Sequence, residues 1–156
     1  MRESIGGAWL LGIVLVFMSI FIAYIAITIN YSNTYLVKTK MVTTLEQYQG
    51  LNPTSLEKLD WILKSEGHMK TLNCGTSDEK QIMGVTNQIV TENPTTPQSY
   101  CVTREVRYGE NDSETKYYYT VTVAFGFSLP LLGNLFDFKV GGETGAIYYP
   151  EDSYFR

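Results

Sequence analysis

The sequence predicts an α+β protein in which a long N-terminal transmembrane helix packs on an antiparallel β-meander. Three observations carry that prediction. Residues 4–37 hold no charged side chain, and apolar positions then continue at helical spacing to Tyr48. Residues 117–129 alternate strictly between apolar and polar or small side chains. The first pattern belongs to a membrane span, the second to an amphipathic helix, and the third to a strand with one apolar face.

The span comes first. Residues 5–29 (IGGAWLLGIVLVFMSIFIAYIAITI) are apolar and, at about 1.5 Å per residue, long enough to cross a bilayer. A secretory signal peptide has a shorter apolar region, about 7–15 residues, that ends in small residues. Here Asn30-Tyr31-Ser32-Asn33 follows, which is no small-x-small site. The expectation is a permanent anchor, so that the protein works at a membrane. The flanking charges orient it poorly: Arg2 and the α-amine stand against Glu3 on one side, Lys38 and Lys40 lie on the other, and the balance leans slightly against an internal N-terminus. A cytoplasmic N-terminus is nevertheless expected, because the cysteines and the Tyr/Thr-rich strands point to an exported C-terminal domain.

Nothing between residues 31 and 48 breaks a helix, and Val37, Met41, Val42, Leu45 and Tyr48 recur on one face. Gly50 is a natural stop, with Asn52-Pro53 beyond it. One helix of some 45 residues would be about 65–70 Å long. Its first half is apolar all round, and its second half needs a surface to lie on. The chain thus divides into residues 1–49 (span 5–29, amphipathic extension 30–49) and an extracytoplasmic α+β domain, 50–156.

Within that domain, Thr54-Ser55-Leu56-Glu57 fits a capping box, followed by a buried stripe of Leu56, Leu59, Ile62 and Leu63 and a stop at Gly67. Residues 69–73 read as a strand and 82–90 as a short strand or helix; Asn93-Pro94 and Thr96-Pro97 mark an irregular connection. Val102, Val106 and Tyr108 alternate with Thr103, Glu105 and Arg107, and a solvated hairpin loop at 109–114 leads into the long alternating strand. Pro130 to Asn134 turns the chain; Phe136, Phe138 and Val140 start a third strand, which Gly141-Gly142 would bend or bulge before Gly145-Ala146-Ile147-Tyr148-Tyr149. The amphipathic half of the long helix is the cover for the apolar face of this meander.

Composition narrows the function. The chain has 156 residues and a net charge of −4. With no basic cluster, nucleic acid is excluded as a partner. Beyond the anchor lie roughly 105–125 residues, one domain of ordinary size. Cys74 and Cys101 have no CxxC or histidine neighbours, and read as one disulfide worth roughly 3 kcal/mol in the chain-entropy description. The alternative is two unrelated buried thiols. A disulfide would place the domain outside the cytoplasm.

Ala8, Gly12, Ser19, Ala23, Ala26, Asn30 and Asn33 are spaced to share one face of the anchor helix. Small residues let helix backbones approach closely in lipid, so this stripe is a candidate seam for another transmembrane helix; the alternative is chance, since such residues are common in spans. Other constellations read as structure. His68, the single histidine, sits at a helix end without further ligands nearby. Gly141-Gly142-Glu143-Thr144-Gly145 lacks the lysine and the following helix of a phosphate loop. Glu110-Asn111-Asp112-Ser113-Glu114 lacks calcium-loop spacing. The tyrosine runs 117–119 and 148–149 suit two-sided packing as well as a protein or glycan contact. No nucleophile–base pair, carboxylate dyad or metal cluster is visible, so neither an enzyme nor a cofactor is expected.

A helix half in the membrane and half on an antiparallel meander resembles the pilin and pseudopilin architecture, and within it the TadE-like minor pseudopilins of tight-adherence pilus systems. The residues that carry the resemblance are Glu3-Ser4-Ile5-Gly6-Gly7, Ile29-Asn30-Tyr31-Ser32, the helix from Val37-Lys38 to Gly50, and Phe127-Ser128-Leu129-Pro130-Leu131-Leu132-Gly133. As architecture the resemblance covers the whole length. Processed pilins carry a basic leader and then a glutamate at the fifth mature position, whereas Glu3 stands almost at the start. Either the chain is not cut, or the likeness is one of topology. Glu3 is then the counterpart of the glutamate that pairs with a neighbouring N-terminal amine, or a polar residue in the headgroup region. The resemblance implies a structural or assembly component of a pilus or pilus-type secretion machine, whose partners are the membrane and, through the N-terminal helix, itself or other assembly subunits. The competing expectation is a membrane-tethered binding module acting alone.

Overall fold

The computed structural model describes residues 2–66, 69–75, 80–109, 114–129 and 133–155. The predicted α+β layout is present: one long apolar helix, a short second helix and an all-antiparallel sheet. Helix α1 spans Arg2–Gln47 and α2 spans Pro53–Glu66. Six strands follow: β1 Met69–Lys70, β2 Gln81–Thr86, β3 Ile89–Glu92, β4 Tyr100–Tyr108, β5 Thr115–Leu129 and β6 Gly133–Glu143. Across the sheet the order is β3-β2-β4-β5-β6, with β1 beside β5. Strand β5 organises the sheet. One of its edges pairs with β6, and the other pairs first with β4 and then, at Ala124 and Phe125, with β1.

The alternation read from β5 sets the two faces. Tyr119, Val121 and Val123 join Tyr100 and Val102 of β4 and Met83 and Val85 of β2 on the inner face. Val37, Met41 and Leu45 of α1, with Leu56, Leu59, Ile62 and Leu63 of α2, cover them. Burial of this apolar stripe, not helix propensity, holds the lower half of α1 in place. At Gly142 the helix lies close against β6. A Cβ there would lie 2.8 Å from Lys38 Cδ and 2.9 Å from Val42 Cγ2, so only glycine lets α1 settle on β6.

Several local expectations need correction. Residues 69–73 hold a two-residue strand, and Leu72 adds one isolated bridge to Gln98. Residues 82–90 form neither one strand nor a helix: β2 and β3 make a hairpin through Asn87 and Gln88, whose φ values of 50° and 65° are those of a type I′ turn. The Gly141-Gly142 pair neither bends nor bulges β6, which runs through it, and the register shift falls at Phe127/Ser128 instead. Residues 145–149 form no strand; Ile147 alone bridges to Tyr117. The cap of α2 is Asn52, not Thr54: Asn52 Oδ1 accepts the Ser55 N–H at 2.9 Å, and Ser55 Oγ accepts the Asn52 N–H at 2.9 Å, with Pro53 at the first helical position. Helix α1 ends in a Schellman turn, in which the Gly50 N–H reaches the Leu45 carbonyl at 2.9 Å, but the left-handed residue is Gln49 (φ 52°). An L-residue in that region costs about 1–2 kcal/mol, part of which glycine recovers. Gln49→Gly and Gln88→Gly are therefore each expected to stabilise the protein by about 0.5–1 kcal/mol, read as a rise in urea midpoint. The expected stop at Gly67 and the tip of the 109–114 loop lie outside the described residues.

A clasp at residues 151–155 fixes the corner between the helices. Backbone N–H groups of Glu151 and Ser153 donate to the carbonyls of Gln49 and Leu51 at 2.8 and 3.1 Å. Asp152 is buried between them. Its Oδ1 accepts the Leu51 N–H at 2.9 Å, while its Oδ2 accepts the Tyr119 hydroxyl at 2.6 Å and Arg104 Nη1 at 2.8 Å. Arg104 also donates to Gln81 Oε1 and lies over the Phe155 ring, 4.8 Å from its centroid. Burial first, and then the bond to the Asp152 carboxylate, push the Tyr119 phenol well above its ordinary range, so it stays a donor. Gly50 (φ 128°) abuts this site, where a Cβ would fall 2.3 Å from Asp152 Oδ1.

The outer face carries an ion-pair ladder. Glu105 meets Lys80 at 2.6 Å and Arg107 at 2.8 Å, and Arg107 reaches Glu143 at 3.0 Å. The Arg107 hydrogen bond first, then that of Lys80, pulls the Glu105 carboxyl from 4.5 down to about 2. A depressed carboxyl pKa contributes stability above the unfolded value and loses it as pH falls toward the folded one. Glu105→Gln should therefore flatten the decline in thermal midpoint between pH 4.5 and about 2.

Candidate membrane and assembly site

Helix α1 is long and apolar enough to cross a membrane, and the most apolar part of it is entirely uncovered by the rest of the chain. Leu10, Leu11, Phe17, Ile20, Phe21 and Ile22 are all exposed. Aromatic rings sit at both ends of this stretch: Trp9 on one side, and Tyr24, Tyr31 and Tyr35 on the other. That is the distribution of side chains favoured at the two bilayer–water boundaries.

The stripe of small residues is laid out as one face. At about 100° per residue, Ala8, Gly12, Ser19, Ala23, Ala26, Asn30 and Asn33 continue into Val37 and Met41, the face with which α1 covers the sheet. Ala8, Gly12, Ser19, Asn30 and Asn33 are exposed, whereas Ala23 and Ala26 are half-buried. Two of the polar members bond within the helix: Ser19 Oγ donates to the Leu15 carbonyl at 2.8 Å, and Asn30 Nδ2 to the Ala26 carbonyl at 2.9 Å. At Ala8, Gly12 and Ser19 the stripe therefore offers a neighbour lack of bulk. Gly12 is the clearest case. Nothing lies within 4 Å of where its Cβ would be, so no contact inside this chain requires glycine there. The side chain of Glu3, the predicted N-terminal pairing residue, lies outside the described residues.

Below the stripe, α1 and the β5–β6 hairpin enclose a crevice of about 220 Å³ lined by Ile27, Thr28, Asn30, Tyr31, Thr34, Phe125, Gly126 and Phe138. Its walls are mainly apolar, and no titratable pair faces it. The alternation of β5 contained this feature, because the strand continues well past the part that β4 covers. The period alone does not say where the end of the strand meets the helix.

The Cys74–Cys101 disulfide is formed, with Cα atoms 5.5 Å apart. It lies with Leu72 and Ala124 in a small apolar cluster, and ties the segment after β1 to β4. His68 and residues 110–113 are outside the described residues. Among the described residues, no group of three or more His, Cys, Asp or Glu side chains is arranged to hold a metal ion. Comparison with protein-family models, with characterised proteins and with solved structures gives no match.

Proposed function

We propose that this protein is a structural or assembly component: a pseudopilin-like, single-pass membrane subunit of a pilus or pilus-type secretion machine. The observation that carries the reading is the uncovered α1 span, on whose small-residue face Gly12 meets nothing within the chain. A glycine in a helix interior costs about 1 kcal/mol relative to alanine, and at Gly12 no internal packing offsets it. Close approach of a second helix does. The partner is another copy or another subunit of the same assembly, and the mechanism is mechanical: α1 holds and associates, and the sheet presents the outward surface. The disulfide supports an extracytoplasmic C-terminal domain and a cytoplasmic N-terminus.

The test is crosslinking in native membranes with the natural disulfide left paired. Gly12→Cys and Ser19→Cys are expected to give a defined dimer or larger adduct under mild oxidation. Phe17→Cys, on the opposite face, should not. Monomers at all three positions would favour a tethered binding module that acts alone.

A further inference from the structure

We propose that the β5–β6 hairpin is a second membrane element, dipping its strand ends at Leu129 and Gly133 into the headgroup and acyl boundary of the leaflet from which α1 emerges. This rests on reading α1 as the anchor. The sheet lies along α1 in a fixed sense. Glu46 Oε1 accepts the Gly145 N–H at 2.7 Å, Lys38 and Val42 touch Gly142, and Ile27, Thr28 and Tyr31 share the crevice with Phe125 and Phe138. Moving from Glu46 towards the membrane span therefore moves β6 backwards and β5 forwards. Phe125 and Phe138 are already level with the tyrosine belt, and neither strand ends there. Strand β5 runs on to Leu129, and β6 starts at Gly133, its register partner.

Four further residues of strand cover about 13 Å, the length of about nine helical residues. That brings the strand ends level with Phe21, inside the apolar span. Half-burial of Ala23, Ala26 and Ile27, against exposed Phe21, Ile22 and Tyr24, agrees with a hairpin that stays beside the helix.

The sequence suits that depth. Residues 117–136 contain no charge, and 125–136 read FGFSLPLLGNLF. Lys139 pairs with Ala124, and so stands at the level of the bilayer surface, where lysine reaches headgroups while its stem crosses apolar ground. A hairpin has open edges whose backbone groups lipid tails cannot satisfy, which limits it to the boundary, about 5–10 Å deep, rather than a full crossing.

The full-length chain in phosphatidylcholine vesicles, carrying an environment-sensitive fluorophore on single added cysteines, tests this. The sites are Leu129→Cys and its partner Gly133→Cys, with Phe17→Cys in the span and Tyr149→Cys on the exposed surface as references. The expected result is that both hairpin sites, like Phe17, are quenched by spin-labelled lipid and several-fold less by aqueous iodide than Tyr149. Iodide access at the hairpin with Phe17 protected would overturn the proposal and leave the anchor standing. Protection from iodide without quenching by lipid would also overturn it, since protein would then cover the hairpin. Iodide access at Phe17 would remove the anchor reading itself.

Discussion

Asp152→Ala is expected to cost the folded domain about 3–5 kcal/mol, because it leaves the Arg104 guanidinium buried without its charge partner. The loss is not confined to one pair. Asp152 also holds the Leu51 N–H and the Tyr119 hydroxyl, so donors from the α1–α2 linker, β4 and β5 lose their acceptor together. Replacing both charges by apolar residues of similar size, Arg104→Met with Asp152→Leu, should recover only the share due to the stranded guanidinium, since the Tyr119 hydroxyl and the Leu51 N–H still lack their acceptor. Urea unfolding of the full chain in mild detergent, followed by the near-ultraviolet circular dichroism of buried Tyr100 and Tyr119, separates the two cases. A single variant no worse than the double would show that the charge pair contributes nothing.

Removing the disulfide is the second large effect. Cys74→Ala with Cys101→Ala should lower stability by about 3 kcal/mol through the freed loop, whose ends are 27 residues apart. The two-residue β1 has little else to hold it on β5, so hydrogen exchange at Lys70 and Leu72 should rise before that of β4. Reduction of the native protein should give the same shift in urea midpoint. A midpoint unchanged by reductant would mean that the segment is held by its other contacts.

Much of this fold is legible in the sequence because its largest elements are strongly periodic. The helical spacing of Val37, Met41 and Leu45 and the two-residue period of β5 each report a single dominant face, and burial follows them closely. The β2–β3 hairpin escapes because its turn, Asn87-Gln88, lacks the glycine that marks such turns. Asn52 escapes as a cap because Thr54-Ser55 offers a competing pattern two residues later. The clasp is invisible for a different reason. Asp152 meets Leu51 across 101 residues and Arg104 across 48, and no local pattern encodes contacts that remote. Of the candidate site, the stripe is legible as spacing. Its alignment with the sheet-covering face, and the placing of the β5–β6 hairpin beside α1, need the three-dimensional packing.

The lengthwise contact between α1 and β6 also decides how the protein bears load. Helix and strand run side by side, lining one crevice with Thr34 and Phe138, meeting at Lys38 and Gly142, and joined just past the strand by the Glu46–Gly145 hydrogen bond. Tension applied to the N-terminal end of α1 would therefore be taken up in shear, with these contacts strained together, rather than in peeling, where they would fail one by one. The Asp152 clasp closes the far end of that seam and adds its own bonds to those sheared together.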